Sequence, residues 1–167
     1  MQVGHLQQCI FGLLPTQTAF RFSLNNKKDI TQLVTDEYQI ECDCGAIQFR
    51  LSGEPRVRGV CHCEDCRELL KIPFHSVTAW EKEAVDIVTG ADQIVEFQHP
   101  TKRMKRYYCG NCGETLFNSN AMDWRVVSQL LIRKNYGNEL PEALRSKSHF
   151  HYGERIVDID DDLPKRD

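Results

Sequence analysis

Seven of the eight cysteines in this 167-residue chain fall in three clusters: Cys42-Asp43-Cys44, Cys61-His62-Cys63-Glu64-Asp65-Cys66-Arg67 and Cys109-Gly110-Asn111-Cys112-Gly113. Thiols one or two residues apart are badly placed to bridge each other and well placed to share an ion. The chemistry implied is metal ligation, with zinc the ion expected. In Cys109-x-x-Cys112 a tight turn brings both sulfurs to one ion at about 2.3 Å, and Gly110 and Gly113 supply the permissive backbone. Cys42 and Cys44 point to one face of an extended segment. Joined, these four thiolates would close a tetrahedral site and tie together segments 65 residues apart, from Cys44 to Cys109. Such a site has no open position, so its role is structural and its binding energy is folding energy.

The middle cluster offers only three thiolates, Cys61, Cys63 and Cys66. His62 alternates to the opposite face of an extended segment and is not expected to join them. A vacant fourth position separates catalytic from structural zinc, and a sulfur-rich site prefers a soft guest. That guest is a small-molecule thiol, held as the nucleophilic thiolate and able to attack an aldehyde. Cys61, Cys63 and Cys66 are therefore the expected catalytic centre. Two zinc ions per chain follow, the second site being open to partial occupancy. Spacing alone leaves alternatives. Cys42 and Cys44 could share an ion with Cys61 and Cys63, or His62 or His75 could complete the middle cluster and make all seven cysteines structural. The protein would then be a non-catalytic zinc module for protein interaction. Redox use of the CxxC pair would instead show a reversible disulfide.

Other residues carry weaker signals. Arg67 reads equally as a partner for a substrate carboxylate or a surface arginine, and His62 as a solvent-facing imidazole. The basic run 102–106 reads as a solvated strand face, and 158–162 as a solvated acidic end. His149 and His151 would point the same way on a strand, Trp80 and Trp124 read as core aromatics, and Cys9, alone, as a free thiol.

The elements that must position the cysteines are short strands. Ile47, Phe49 and Leu51 alternate against Gln48, Arg50 and Ser52, the period-2 signature of a half-buried strand. Further strands are expected over 57–63, 76–80, 84–89, 94–98, 103–108, 115–118 and 126–132, with single helical turns at 64–70 and 141–144. The expectation is one mainly antiparallel β domain of small packed sheets over 39–167, with 1–38 an N-terminal extension. A net charge of −3 gives no reason to invoke nucleic acid or a membrane surface. The apolar run 9–14 is too short to cross a bilayer and lacks a basic flank, so a reducing, cytoplasmic setting is expected.

The three clusters, in this order, with the closing stretch His149-Phe150-His151-Tyr152 through Asp161-Asp162-Leu163-Pro164, resemble the family of glutathione-dependent formaldehyde-activating enzymes and centromere protein V. The resemblance covers about residues 39–165. It implies a zinc-bearing β-tent of small antiparallel sheets. It also implies Cys42, Cys44, Cys109 and Cys112 as structural zinc ligands and Cys61, Cys63 and Cys66 as ligands of a catalytic zinc. The activity it implies is carbon-sulfur lyase chemistry, in which glutathione adds to formaldehyde to give S-(hydroxymethyl)glutathione.

Overall fold

The structure, a computed structural model, describes residues 36–167. Cys9 and the apolar run 9–14 lie outside them. Strand β1 (Glu37–Glu41) alternates exposed Glu37, Gln39 and Glu41 with buried Tyr38 and Ile40, and β2 (Gln48–Ser52) buries Phe49 and Leu51. This is the pattern of strands with one wet face. There follow β3 (Val57–Cys61), α1 (Glu64–Leu70), β4 (His75–Trp80), β5 (Val85–Thr89), β6 (Ile94–Gln98) and β7 (Lys105–Cys109). Then come β8 (Thr115–Ser119), β9 (Arg125–Ser128), α2 (Gln129–Asn135), a 3-10 turn at Glu142–Leu144 and the two-residue β10 (His149–Phe150).

The strands form two sheets, a small one in the order β1-β2-β5 and a seven-stranded one in the order β10-β3-β4-β9-β8-β7-β6. Every neighbouring pair of these strands is antiparallel except β10 with β3. The mainly β expectation holds, although one sheet is larger than the short segments suggested. Tyr38, Phe49, Leu51, Trp80, Phe117 and Val127 belong to one buried cluster that joins the small sheet to the large one. Phe49 meets Phe117 edge to face at 5.9 Å, and the Trp80 indole N–H donates to the Thr78 hydroxyl at 2.8 Å, so its polar atom is satisfied inside the core. Trp124 is half-buried rather than central.

The interior strand β4 is covered on both faces. Thr78 and Trp80 belong to the core side, while Val77 and Ala79 pack with Val126 into a separate small cluster. Cys66 and Leu69 of α1 pack with Met104 into a third cluster, which Cys61 and Cys63 border. The expected strand over 126–132 is corrected: it ends at Ser128, whose hydroxyl caps α2 by accepting the Leu130 amide at 3.2 Å. An apolar run of this length suits either period, and the serine cap decides for the helix. Leu131 and Ile132 turn inward while Leu130 is exposed.

Truncation of the inter-sheet core tests this packing. Phe49→Ala removes a fully buried ring and is expected to cost about 3–5 kcal/mol in urea unfolding, whereas Val88→Ala, on an exposed side chain, should stay within about 0.5 kcal/mol.

Candidate metal centres and the cleft beside one of them

Two sulfur clusters form. Cys42 follows β1 and Cys44 lies in the turn to β2. There Gly45 at φ 70° lets its amide reach the Cys42 carbonyl at 2.9 Å. Cys109 ends β7 and Cys112 lies in the turn to β8, closed by Gly113 at φ 76° with its amide 2.8 Å from the Cys109 carbonyl. The sulfurs of Cys42, Cys44, Cys109 and Cys112 all lie within 4.8 Å of one another. Cys42 and Cys44 are 3.6 Å apart and Cys44 and Cys109 3.7 Å. The Glu114 amide holds the Cys112 thiol down at about 7. The Ala46 amide pulls Cys44 the same way, but the Cys42, Cys112 and Cys109 sulfurs outweigh it and push Cys44 up to about 12. Lys134 of α2 pairs with Asp43 and Glu114, joining the two turns from outside.

The second cluster comes from one continuous piece of chain. Cys61 ends β3, Cys63 caps α1 and Cys66 lies in its first turn, with their sulfurs also within 4.8 Å of one another. The Cys61 and Cys63 sulfurs are 3.3 Å apart, and the Cys66 amide donates to the Cys63 sulfur at 3.4 Å. Hydrogen bonds from Cys61 and Cys66 hold the Cys63 thiol down at about 2. Bonding to Cys63 pushes Cys61 up to about 12, and bonding to Cys61, then to Cys63, pushes Cys66 up as well. All seven described cysteines are free thiols.

Among the described residues no fourth histidine, cysteine or carboxylate joins this triad. His75 sits across the β3–β4 pair from Cys61, yet it stays outside the cluster, and burial pushes its imidazole down to about 4. His62 corrects the expectation of a solvent-facing ring: it is fully buried, with Nε2 2.9 Å from His149 Nδ1. The other nitrogen of His149 is 3.0 Å from Asp161 Oδ1. The carboxylate can only accept, so His149 Nε2 is the donor to it. With both rings neutral, His149 Nε2–H donates to Asp161 and His149 Nδ1 accepts from His62 Nε2–H, and His62 Nδ1 is buried and bare among the described residues.

The same C-terminal stretch straps the loop twice more. The His62 amide donates to the Phe150 carbonyl at 3.0 Å. Arg67 donates to the His62 and Glu154 carbonyls, each at 3.1 Å, which spends its guanidinium on backbone. His149 and His151 do not point the same way, because the strand stops at Phe150 and His151 takes φ 52°; His149 is buried and His151 exposed. Asp161 departs from the solvated acidic end through its bond to His149. The basic run 102–106 is not simply a solvated face either. Lys102 pairs with Glu64 and Asp65, Met104 is buried, and Arg106 lies over the rings of Phe97 and Tyr108.

Beside the triad opens a cleft of about 330 Å³. Its floor is Val77, Ala79 and Val126, and Val57, Met104 and Phe150 wall it. Gly59 explains the fit of Phe150: a Cβ there would lie 2.4 Å from the Phe150 ring and 2.3 Å from the Ser148 carbonyl oxygen. Polar groups stand at the rim, Asn120 and His151 among them. Asn120 Oδ1 accepts the Met122 and Trp124 amides at 3.0 Å each, so Nδ2 is left as a donor. Sequence reasoning missed Asn120, the bond from His149 to Asp161 and the apolar floor. The one local signal nearby was Gly59, a glycine inside a strand, which marks the close approach of Phe150.

Substituting Asp161 removes the acceptor that orders the two imidazoles. Asp161→Leu is expected to cost about 1–3 kcal/mol in urea unfolding by leaving a buried donor unpaired, while Asp160→Leu, one residue earlier and exposed, should be close to neutral.

Comparison with known proteins places this geometry. A family model described as glutathione-dependent formaldehyde-activating enzyme matches residues 37–152. A Schizosaccharomyces pombe protein named as an uncharacterized lyase is 31% identical over 81 residues, which is 48% of this chain and 56% of that protein. The match thus spans little more than half the length of that curated relative. A Rhodobacter sphaeroides protein of known crystal structure aligns with TM-score 0.41 and 19% identity, over 56% of this chain and 85% of the other. The family match covers both sulfur clusters and runs through β10, and the chain belongs to the glutathione-dependent formaldehyde-activating enzyme family.

Proposed function

We propose that the protein is a zinc-dependent carbon-sulfur lyase-type enzyme that adds a small thiol to an aldehyde, glutathione and formaldehyde being the pair its family's description names. In this reading Cys42, Cys44, Cys109 and Cys112 hold a structural zinc, and Cys61, Cys63 and Cys66 hold a catalytic one. The observation that carries it is the triad's incompleteness: three convergent sulfurs, no fourth side-chain donor among the described residues, and a cleft beside them. The donor sets fit the metal. All-sulfur ligands within reach of one point suit a soft, tetrahedral ion, and free thiols at such spacing have no better partner. Zinc bound at the triad would leave its fourth position to the incoming thiol and lower that thiol's pKa.

The chain's own groups supply the rest. The thiol sulfur bonds to the carbonyl carbon, the C=O π pair moves to oxygen, and the proton given up by the thiol returns to that oxygen. The product is a hemithioacetal and nothing is oxidised. Asn120 Nδ2 is the rim donor positioned to hydrogen-bond the oxygen as charge develops on it, and His151 is the rim group able to relay the proton. The straps from His149, Phe150 and Arg67 fix the loop that carries Cys61 and Cys63. A reducing, cytoplasmic compartment keeps the thiols available as ligands.

Exchange spectroscopy on glutathione and formaldehyde with the zinc-loaded chain tests the reaction. Adduct formation should outpace the uncatalysed mixture, and Asn120→Ala should lower the added rate on the order of 10²-fold with metal content unchanged. A rate equal to the uncatalysed mixture would remove the assignment.

Acid provides a second check. The neighbouring sulfurs push the Cys61 and Cys66 thiols up, so protons compete with metal for these sulfurs and acidification must favour metal loss. Metal retained after dialysis should fall as pH drops from about 7 to about 5, the three-sulfur site emptying before the four-sulfur site. A metal content flat over that range contradicts ligation by these thiols.

A further inference from the structure

The cleft is built for more than a one-carbon aldehyde. Formaldehyde has two heavy atoms to water's one and needs on the order of twice water's share of about 30 Å³, a small part of the roughly 330 Å³ beside the triad. The floor offers no hydrogen bond: Val77, Ala79 and Val126 are each less than 10% exposed and present only hydrocarbon. Met104 and the Phe150 ring continue this surface toward Cys61 and Cys66, and Met122, 61% exposed, extends it past the rim.

Glutathione's body does not suit that floor. The tripeptide carries two carboxylates and an ammonium group, and charged groups set against hydrocarbon without partners are strongly disfavoured. Of the charged side chains lining the cleft, Asp65 is already paired with Lys102 at 3.0 Å, and Arg103 is exposed, where it can meet a carboxylate of the thiol from outside the floor. The polar body of a thiol is therefore directed outward and the hydrocarbon floor is left to the electrophile. We propose that this floor binds the carbon chain of the aldehyde, so that the preferred electrophiles are medium-length aliphatic or aryl aldehydes. This rests on the thiol-addition reading above and names its substrate class. The bond changes are those already given: an S–C bond forms, the carbonyl oxygen takes the thiol's proton, and no oxidant or reductant is required.

Binding and turnover test the idea separately on the zinc-loaded full chain. In a methyl NMR titration, 1-hexanol, an unreactive stand-in for the aldehyde chain, should bind at least tenfold more tightly than methanol, each buried methylene contributing roughly fourfold. Its shifts should be confined to the methyls that line the cleft, those of Val57, Val77, Ala79, Met104, Met122 and Val126. Ala79→Phe should abolish that binding. Val57→Phe, on a half-buried position of β3, serves as a second block should the first variant not fold. In exchange measurements with glutathione, the kcat/KM for hexanal should exceed that for formaldehyde by about tenfold or more, and either block should reduce that ratio by a similar factor.

Hexanol binding no tighter than methanol, or shifts at other methyls, overturns the proposal. So does catalysed exchange of formaldehyde with hexanal left at the uncatalysed rate, an outcome in which thiol addition itself survives. Hexanol binding at these methyls with no aldehyde accelerated has the opposite meaning: the cleft's preference for hydrocarbon stands and the thiol-addition reading falls.

Discussion

Everything near the functional end of this protein depends on sulfur atoms held within 4.8 Å of one another in each cluster, with the pairs Cys42–Cys44, Cys44–Cys109 and Cys61–Cys63 at 3.3–3.7 Å. Thiols so close cannot ionise independently: each proton kept by one stabilises the charge on its neighbour, which is why Cys63 falls while Cys61 and Cys66 rise. The backbone enforces the approach. Positive φ at Gly45 and Gly113 folds two turns tightly enough to aim their sulfurs inward, and the helix-capping geometry of Cys63 does the same for the third group.

The difference between four sulfurs and three follows from how many segments arrive. The tetrad draws two sulfurs from each of two turns, one in the small sheet and one in the large, so it joins the layers that share the central core. All three triad sulfurs come from residues 61 to 66, and among the described residues no second turn adds a ligand from the other side. A hydrocarbon-floored cleft occupies that side instead. What does arrive is the C-terminal stretch, and it docks behind the loop through His149, Asp161 and the carbonyls of Phe150 and Glu154. Support from behind with an opening in front is the arrangement a binding site requires.

The legible parts were those with a local signal. The period-2 alternation of Phe49 and Leu51 and the cysteine spacings depend only on neighbours in sequence, and both point to features the structure contains. The helix after Ser128 was hidden because a short apolar run fits two periods. His62 was misread for another reason. Its burial comes from His149, 87 residues away, and from Tyr152 packed against its ring, contacts that no local pattern encodes. The αL conformation of His151 likewise reverses an orientation that strand alternation would give. The cleft floor was invisible because it is assembled across β3, β4 and β9 by sheet register: Val57 lies opposite Ala79 and Ala79 opposite Val126.

The central claim is that one sulfur cluster is complete and the other has room for a thiol. Cobalt(II) loaded into both sites reports this directly, since thiolate-to-cobalt absorption grows with each sulfur bound. Titrating glutathione should raise that absorption in the wild-type chain and leave it unchanged once Cys61, Cys63 and Cys66 are all replaced by serine. No change in the wild-type spectrum, or an equal change in the serine variant, would contradict the account.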